Sequence, residues 1–198
     1  MAVLATRIME HASGLPEGTP LAAKELLHLG SRAAVDQALS RLARLGSLMR
    51  AGRGLYIRPI ESRFGTRAPV ASKVVEAIAA QRGESVAPHG AAAANELGLT
   101  TQVPVREVYL TSGRSRRLQL GAQVIELRHV PAWQLVLLGR PAGAAIRALA
   151  WLGPERASEA LRTLQRKLPP TELQAVVAAR AGLPTWMAQE VSALANNG

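Results

Sequence analysis

The chain has no cysteine, few aromatic side chains and no long apolar run. The lack of cysteine excludes disulfides, thiolate metal sites and cysteine nucleophiles, and it fits a cytosolic location. The longest apolar stretch, Val130–Leu138, contains Pro131 and is far shorter than the roughly 18 residues of a membrane span. The N-terminal run is also too short and too interrupted for a signal peptide. We therefore expect a cytoplasmic protein without a membrane anchor.

Acidic side chains are also scarce, with 14 carboxylates against 24 lysines and arginines. The resulting formal charge of +10 suits a polyanionic partner, nucleic acid first and an anionic membrane second. Hydrophobic residues make up 48% of the chain, so a packed core is expected. The six aromatic residues favour helices packed through alanine and leucine over an aromatic β-sandwich.

The first 62 residues show the pattern of three helices followed by a hairpin. Apolar spacing predicts a helix over residues 3–11, and Thr19 with Pro20 predicts the start of a second over residues 21–27. Ser31 is a typical N-cap for a third helix that ends near Gly46. The apolar stripe of this third helix is Val35, Ala38, Leu39, Leu42 and Leu45.

Two short strands follow the third helix, at residues 48–50 and 55–58. The glycines of the intervening segment, Ala51–Gly54, are typical of a tight hairpin. Helix, helix, helix and hairpin in this order predict a winged helix-turn-helix over residues 1–62. Residues 60–69 are polar and basic, which predicts a linker.

Residues 68–198 are expected to form an α+β domain with a helical C-terminal part. Helices are predicted over 72–81 and 88–97, then strands over 105–111, 118–120 and 123–129. Ser112–Arg117 is predicted to be a basic turn between strands. Four further helices follow Pro141, three of them with proline near the first position. The predicted fold class is therefore mainly α with small β elements (α+β).

The third helix and the hairpin carry the candidate site. Seven arginines and one acid, Glu61, lie between Arg41 and Arg67. A recognition helix reads bases from its N-terminal half, and a basic wing contacts phosphates or the minor groove. The predicted DNA-binding residues are Ser31, Arg32, Ala33, Gln37, Ser40, Arg41, Arg44, Arg50, Arg53 and Arg58. The alternative is an ordinary solvated helix face, and Asp36 on this face either reads a cytosine or pairs with Arg32 or Arg41.

Other candidate chemistry is sparse. The four histidines are scattered without ligand spacing, and no nucleophile elbow, P-loop or carboxylate pair occurs. We therefore expect no catalytic residue, no metal and no cofactor, and not an enzyme. Arg114, Arg116 and Arg117 form a second basic cluster, which is a DNA contact, a docking surface for an acidic protein or a plain solvated turn. The three tryptophans are expected to pack in the core or between helices.

The segment Pro88–Pro104, with its Leu97-Gly98-Leu99-Thr100 helix end and Gln102-Val103-Pro104 turn, resembles the AbiEi-type antitoxin family of bacterial type IV toxin–antitoxin systems. The run Gly52–Tyr56 is also similar to the wing of that family. The likeness covers roughly residues 1–135. It implies a winged-helix repressor that binds inverted repeats in its own promoter, with Arg32, Gln37, Arg41 and Arg53 as DNA contacts.

The same resemblance implies that the C-terminal domain is an antitoxin against a nucleotidyltransferase-like toxin, without a required stable complex. One alternative is a winged-helix transcriptional regulator that has no toxin partner. A second is a protein-interaction module that binds an acidic partner through the wing and the C-terminal helices.

Overall fold

The computed structural model describes residues 2–63 and 65–196. It is a mixed α+β structure, as the sequence predicts, in which helices predominate over small antiparallel sheets. Its helices are α1 (Ala2–Ser13), α2 (Arg32–Arg44), α3 (Ala71–Arg82), α4 (Gly90–Glu96), α5 (Pro141–Leu152), α6 (Pro154–Lys167), α7 (Pro170–Ala178) and α8 (Thr185–Asn196). Its strands are β1 (Pro20–Ala22), β2 (Met49–Gly52), β3 (Leu55–Ile57), β4 (Ile60–Ser62), β5 (Gly65–Arg67), β6 (Val86–Pro88), β7 (Glu107–Thr111), β8 (Arg116–Leu120) and β9 (Gln123–His129).

The chain divides into two compact units. The N-terminal unit comprises Met1–Glu84 and Arg116–Glu126, and the C-terminal unit comprises Ser85–Ser115 and Leu127–Gly198. This division differs from the predicted ranges 1–62 and 68–198. The reason is that α3 belongs to the N-terminal unit, as does the segment that contains β8.

The helix predicted over residues 21–27 is wrong at its start and is a 3-10 helix rather than an α-helix in its middle. Pro20–Ala22 is strand β1, antiparallel to β3 with Leu21 opposite Tyr56, and only the following turn, Ala23–Leu26, is helical, as a 3-10 helix. Backbone pairing with β3 outweighs the helix-start signal of Thr19 and Pro20, because the strand places Leu21 in the core. The resulting sheet has the strand order β1–β3–β2.

The core of the N-terminal unit lies between α1, α2 and this sheet. Its fully buried side chains include Ile8, Leu21, Leu26, Val35 and Leu39. Leu45, which the apolar stripe included, is instead 68% exposed, because α2 ends at Arg44 and the chain turns away at Gly46 with a positive φ of 77°.

The predicted linker is not an irregular segment. Ile60–Ser62 and Gly65–Arg67 form the antiparallel hairpin β4–β5, and α3 follows directly. The start of α3 is held by Glu17, which accepts hydrogen bonds from the Val70 amide at 3.2 Å and from Lys73 Nζ at 2.7 Å. These two contacts tie α3 to the N-terminal unit.

The C-terminal unit has a helical core. Helices α5 to α8 bury Ile146, Leu149, Leu161, Leu164 and Met187 against one another. Antiparallel pairing joins β6 to β7, with Ala87 opposite Leu110. Among the described residues, no helix is both long and apolar enough to cross a lipid bilayer.

Candidate nucleic-acid interface

Helix α2 begins where the sequence predicts and ends at Arg44, two residues before the predicted stop at Gly46. Ser31 Oγ accepts a hydrogen bond from the Ala34 amide at 3.4 Å, so Ser31 is the N-cap of the helix. Val35, Leu39 and Leu42 are buried, and these three side chains hold one face of α2 on the core. The opposite face is consequently directed to solvent.

The exposed face of α2 carries most of the predicted DNA-binding residues. The exposed members are Ser31, Arg32, Ala33, Gln37, Ser40, Arg41 and Arg44. Arg32 Nε donates to Asp36 Oδ2 at 2.8 Å, one helical turn further on. This ion pair settles which arginine Asp36 contacts. Both side chains are about half exposed or more, so the pair is weak and can open for a ligand.

The hairpin β2–β3 adds two exposed arginines beside this face. Arg50 lies on β2, and Arg53 lies in the turn between the strands with Gly54, whose φ of 67° favours glycine. Arg58, which follows β3, is only partly exposed. The structure therefore places Arg58 at a less accessible position than the other predicted contacts.

We call Arg41, Arg44, Arg50 and Arg53 the arginine face. None of these four side chains has an ion-pair partner among residues 2–63 and 65–196. Asp36 is the only carboxylate between residues 32 and 58. Unpaired guanidinium groups on one side of a unit attract polyanions and form bidentate hydrogen bonds with phosphate.

A crevice of about 290 Å³ separates α2 from the hairpin. It is lined by Ser40, Ala43, Arg44, Arg50 and Tyr56. Ser40 Oγ lies 3.5 Å from the Tyr56 hydroxyl, which brings helix and hairpin together at this point. Two arginines and two hydroxyls around one crevice are suited to a phosphate group.

A wider groove runs between α1 and α2. It has a volume of about 590 Å³, and Leu4 and Ala5 of α1 line it together with Gln37, Arg41 and Arg44 of α2. The sequence does not predict that Leu4 and Ala5 line this groove or that Tyr56 lines the crevice. Apolar residues at helical spacing indicate a core face, and nothing in the spacing shows that an edge of that face remains open.

The second basic cluster is largely neutralised. Arg116 forms a paired hydrogen bond with Glu84, with Nη1 3.0 Å from Oε1, and both side chains are mostly buried. Arg117 Nη2 lies 3.5 Å from Glu126 Oε1. Arg116 and Arg117 also belong to strand β8, so the predicted basic turn ends at Ser115. These positions are less suited to a polyanion than the arginine face is.

Metal-binding geometry is not found in the described part of the chain, since no group of three histidine or carboxylate side chains converges there. The rings of His11 and His28 do approach each other, with centroids 5.8 Å apart in an edge-to-face arrangement. A ring contact of this kind is a packing interaction.

Comparisons with known proteins identify a family without an assigned activity. The fold is similar to the crystal structure of the RV2827C protein from Mycobacterium tuberculosis, with a TM-score of 0.52 and 14% sequence identity. The match covers 97% of this chain and 76% of that one, and at this identity it supports a common fold alone. No curated protein matches the chain significantly. A family model described as a family of unknown function (DUF6088) matches residues 7–172, and the chain therefore belongs to the DUF6088 family.

Proposed function

We propose that the N-terminal unit is a winged helix-turn-helix that binds duplex DNA sequence-specifically. The order α1, β1, 3-10 turn, α2 and β2–β3, with the strand order β1–β3–β2, supports this assignment. Helix α2 is then the recognition helix in the major groove, and the hairpin is the wing beside it.

The observation that carries the proposal is the arginine face. Its four unpaired guanidinium groups are exposed on α2 and the adjoining hairpin, whereas the opposite side of α2 is buried. Gln37 and Arg41 are placed to read base edges, because amide and guanidinium groups pair with adenine and guanine respectively. Arg44, Arg50 and Arg53 contact the phosphate backbone in this proposal.

We further propose that the protein represses its own promoter by binding inverted repeats. The resemblance to AbiEi-type antitoxins also leads us to propose antitoxin activity against a nucleotidyltransferase-like toxin. This part rests on the Pro88–Pro104 segment, which in the structure contains α4 and the loop that follows it. A winged-helix regulator without a toxin partner has the same N-terminal unit and stays the alternative.

Fluorescence anisotropy on the protein's own upstream DNA and on a scrambled duplex, over a salt series, tests the DNA proposal. We expect tight, steeply salt-dependent binding with a clear preference for the upstream DNA. Equal weak binding to both duplexes, or none, contradicts sequence-specific recognition. In that case, loss of function on changing Arg114, Arg116 and Arg117 together would favour the protein-interaction alternative.

Co-expression tests the antitoxin part. If a nucleotidyltransferase-like gene adjoins this one, the full-length protein is expected to restore growth of cells that express that gene. The variant Arg41→Ala with Arg53→Ala serves as the matched control, because it is expected to weaken DNA binding while both substitutions lie outside the C-terminal unit. Rescue by this variant separates antitoxin activity from repression, whereas failure of the unaltered protein to rescue favours the stand-alone regulator.

A further inference from the structure

The C-terminal unit contains a cleft that the proposed DNA-binding function does not use. Its volume is about 480 Å³, within the roughly 300–1,000 Å³ range of small-molecule sites. All three tryptophans of the chain line it, although they are 18 and 35 residues apart in sequence. The side chains that matter for its chemistry are Trp133, Trp151, Trp186, Arg147, His89 and Arg128.

Arg147 is the feature that distinguishes this cleft from a packing defect. Arg147 is only 4% exposed, and its Nε and Nη1 atoms have no hydrogen-bond partner in the described structure. Burial lowers the pKa of Arg147, and the charge of Glu96 opposes this shift. An arginine nevertheless keeps its proton in proteins. Buried charges are normally paired, so a buried cation with unsatisfied donors that also lines a cleft is a candidate anion-binding group.

His89 also lines this cleft. Its Nδ1 accepts a hydrogen bond from the Ala91 amide at 3.2 Å, so a neutral His89 carries its proton on Nε2. Burial, followed by the positive charge of Arg128, lowers the pKa of His89 and so favours the neutral ring. No carboxylate is among the residues described as lining the cleft. The polar groups of this site therefore select a negatively charged ligand.

The indoles indicate the rest of the ligand. Trp133 and Trp186 pack partly against the helical core, and Trp151 packs against the α4–α5 contact, as the sequence led us to expect. Each is only partly buried, and the remaining surface lines the cleft. Indole surfaces stack on planar rings and interact with cations, so they suit a flat aromatic group next to Arg147.

We propose that this cleft binds a small aromatic anion, with its phosphate or carboxylate at Arg147 and its ring against the tryptophans. The site lies wholly within the C-terminal unit, and the inference does not depend on DNA binding. A mononucleotide and an aromatic carboxylate share this chemistry, and both fit the size of the cleft.

Ligand titrations of the unaltered full-length protein provide the first test. Adenosine 5′-monophosphate and benzoate are the anionic probes, and adenosine and benzamide are their uncharged counterparts. Isothermal titration calorimetry measures all four, and tryptophan fluorescence reports the site directly because the chain's three tryptophans line it. We expect at least one anion to bind about ten-fold or more tightly than its uncharged counterpart, as a charge-assisted hydrogen bond requires.

The pattern of binding distinguishes a mononucleotide from an aromatic carboxylate as the ligand. Preference for the monophosphate assigns the anion as phosphate, and preference for benzoate assigns it as carboxylate. Inorganic phosphate is expected to bind at least about ten-fold more weakly than the monophosphate, because it lacks the ring. Absence of binding by both anions, or equal binding of charged and uncharged probes, would overturn the proposal.

The second test is the variant Arg147→Met, which keeps the approximate volume and removes the charge. It is expected to weaken binding of the preferred anion about ten-fold or more while the protein stays folded, because Nε and Nη1 of the cation that it removes have no hydrogen-bond partner in the described structure. Arg162→Met is the matched control, since Arg162 is exposed on α6 of the same unit and is expected to bind like the unaltered protein. Unchanged binding by Arg147→Met contradicts the assignment, and Arg147→Lys with partial retention of binding supports it if the methionine variant fails to fold.

Discussion

Arginine has opposite surroundings in the two units of this chain. The four side chains of the arginine face lie in water without acidic partners, whereas Arg147 lies in a tryptophan-lined cleft and is 4% exposed. Exposed cations act together over about a Debye length, roughly 8–10 Å, and weaken as salt increases. A buried cation acts on one group at contact distance and is screened far less. Exposed, clustered arginines are therefore suited to an extended polyanion, and a buried arginine is suited to a single small anion.

The largest expected effect comes from core substitutions, which test whether the two units unfold independently. Leu39→Ala in α2 and Leu149→Ala in α5 each remove a fully buried side chain, at a cost of about 2–5 kcal/mol in unfolding free energy. All three tryptophans belong to the C-terminal unit, so their fluorescence reports that unit while circular dichroism reports both. In urea, Leu149→Ala is expected to shift the unfolding transition that is followed by fluorescence. Leu39→Ala is expected to shift only the transition that is followed by circular dichroism. An identical shift of both signals in both variants would show that the chain unfolds as one cooperative body.

Gly90 is a second position where a substitution is expected to destabilise the protein. A methyl group there would overlap the Arg147 carbonyl oxygen and lie 2.7 Å from Trp151 Cβ, because α4 and α5 approach closely at this point. Gly90→Ala is expected to cost about 1–3 kcal/mol in thermal or urea unfolding and to disturb the cleft. Gly182→Ala is the control, since no atom lies within 4 Å of its added methyl group. Equal stability of the two variants would mean that the α4–α5 contact is looser than the structure shows.

Substitutions on the exposed face of α2 test whether the N-terminal unit reads base edges. Gln37→Ala or Arg41→Ala is expected to weaken binding of upstream DNA by about 1–3 kcal/mol and to relax the preference at one base position. Anisotropy with a set of single-base operator variants measures both quantities. Loss of affinity that is equal for upstream and scrambled DNA would remove Gln37 and Arg41 from base recognition and leave them as phosphate contacts.

Substitution of Arg53, at the tip of the hairpin, tests the electrostatic contribution to DNA binding alone. Arg53→Ala is expected to weaken binding uniformly across sequences and to lower the slope of log affinity against log salt by about one unit. Arg162→Ala has the same change in charge in the other unit and is expected to leave this slope nearly unchanged. If the two variants alter the slope equally, the net charge of the chain explains DNA binding better than the arginine face does.

The smallest effect concerns one carboxylate in each unit. Hydrogen bonds from Lys73 lower the pKa of Glu17, and those from Arg140 lower the pKa of Glu172, with backbone amides contributing in both cases. A carboxylate whose pKa is lowered on folding stabilises the protein above its unfolded pKa, near pH 4.5, and this stabilisation is lost as the pH falls through the folded value. Glu17→Gln and Glu172→Gln are each expected to flatten the acid limb of a stability–pH curve slightly, because solvent screens exposed pairs. Each substitution is expected to change the unfolding free energy more at pH 7 than at pH 3, and the reverse would contradict these assignments.

Local signals in the sequence were enough to predict much of the N-terminal unit. The Ser31 cap, the buried Val35 and Leu39, and the positive φ of Gly54 depend on residues within a few positions of one another. For the same reason the sequence predicts the helices after Pro141 closely: proline is favoured in the first turn, and each helix buries one apolar stripe.

Only the tertiary structure decided the features that depend on distant partners. Pro20–Ala22 is a strand because β3 lies beside it, 35 residues further along, and Arg116 is neutralised by Glu84, 32 residues before it. The sequence by itself determined where α2 and its exposed arginines lie, since a helix face follows from spacing alone. It did not determine that three separated tryptophans meet around a buried, unpaired Arg147, because a cleft is formed by packing between elements and has no period in the sequence.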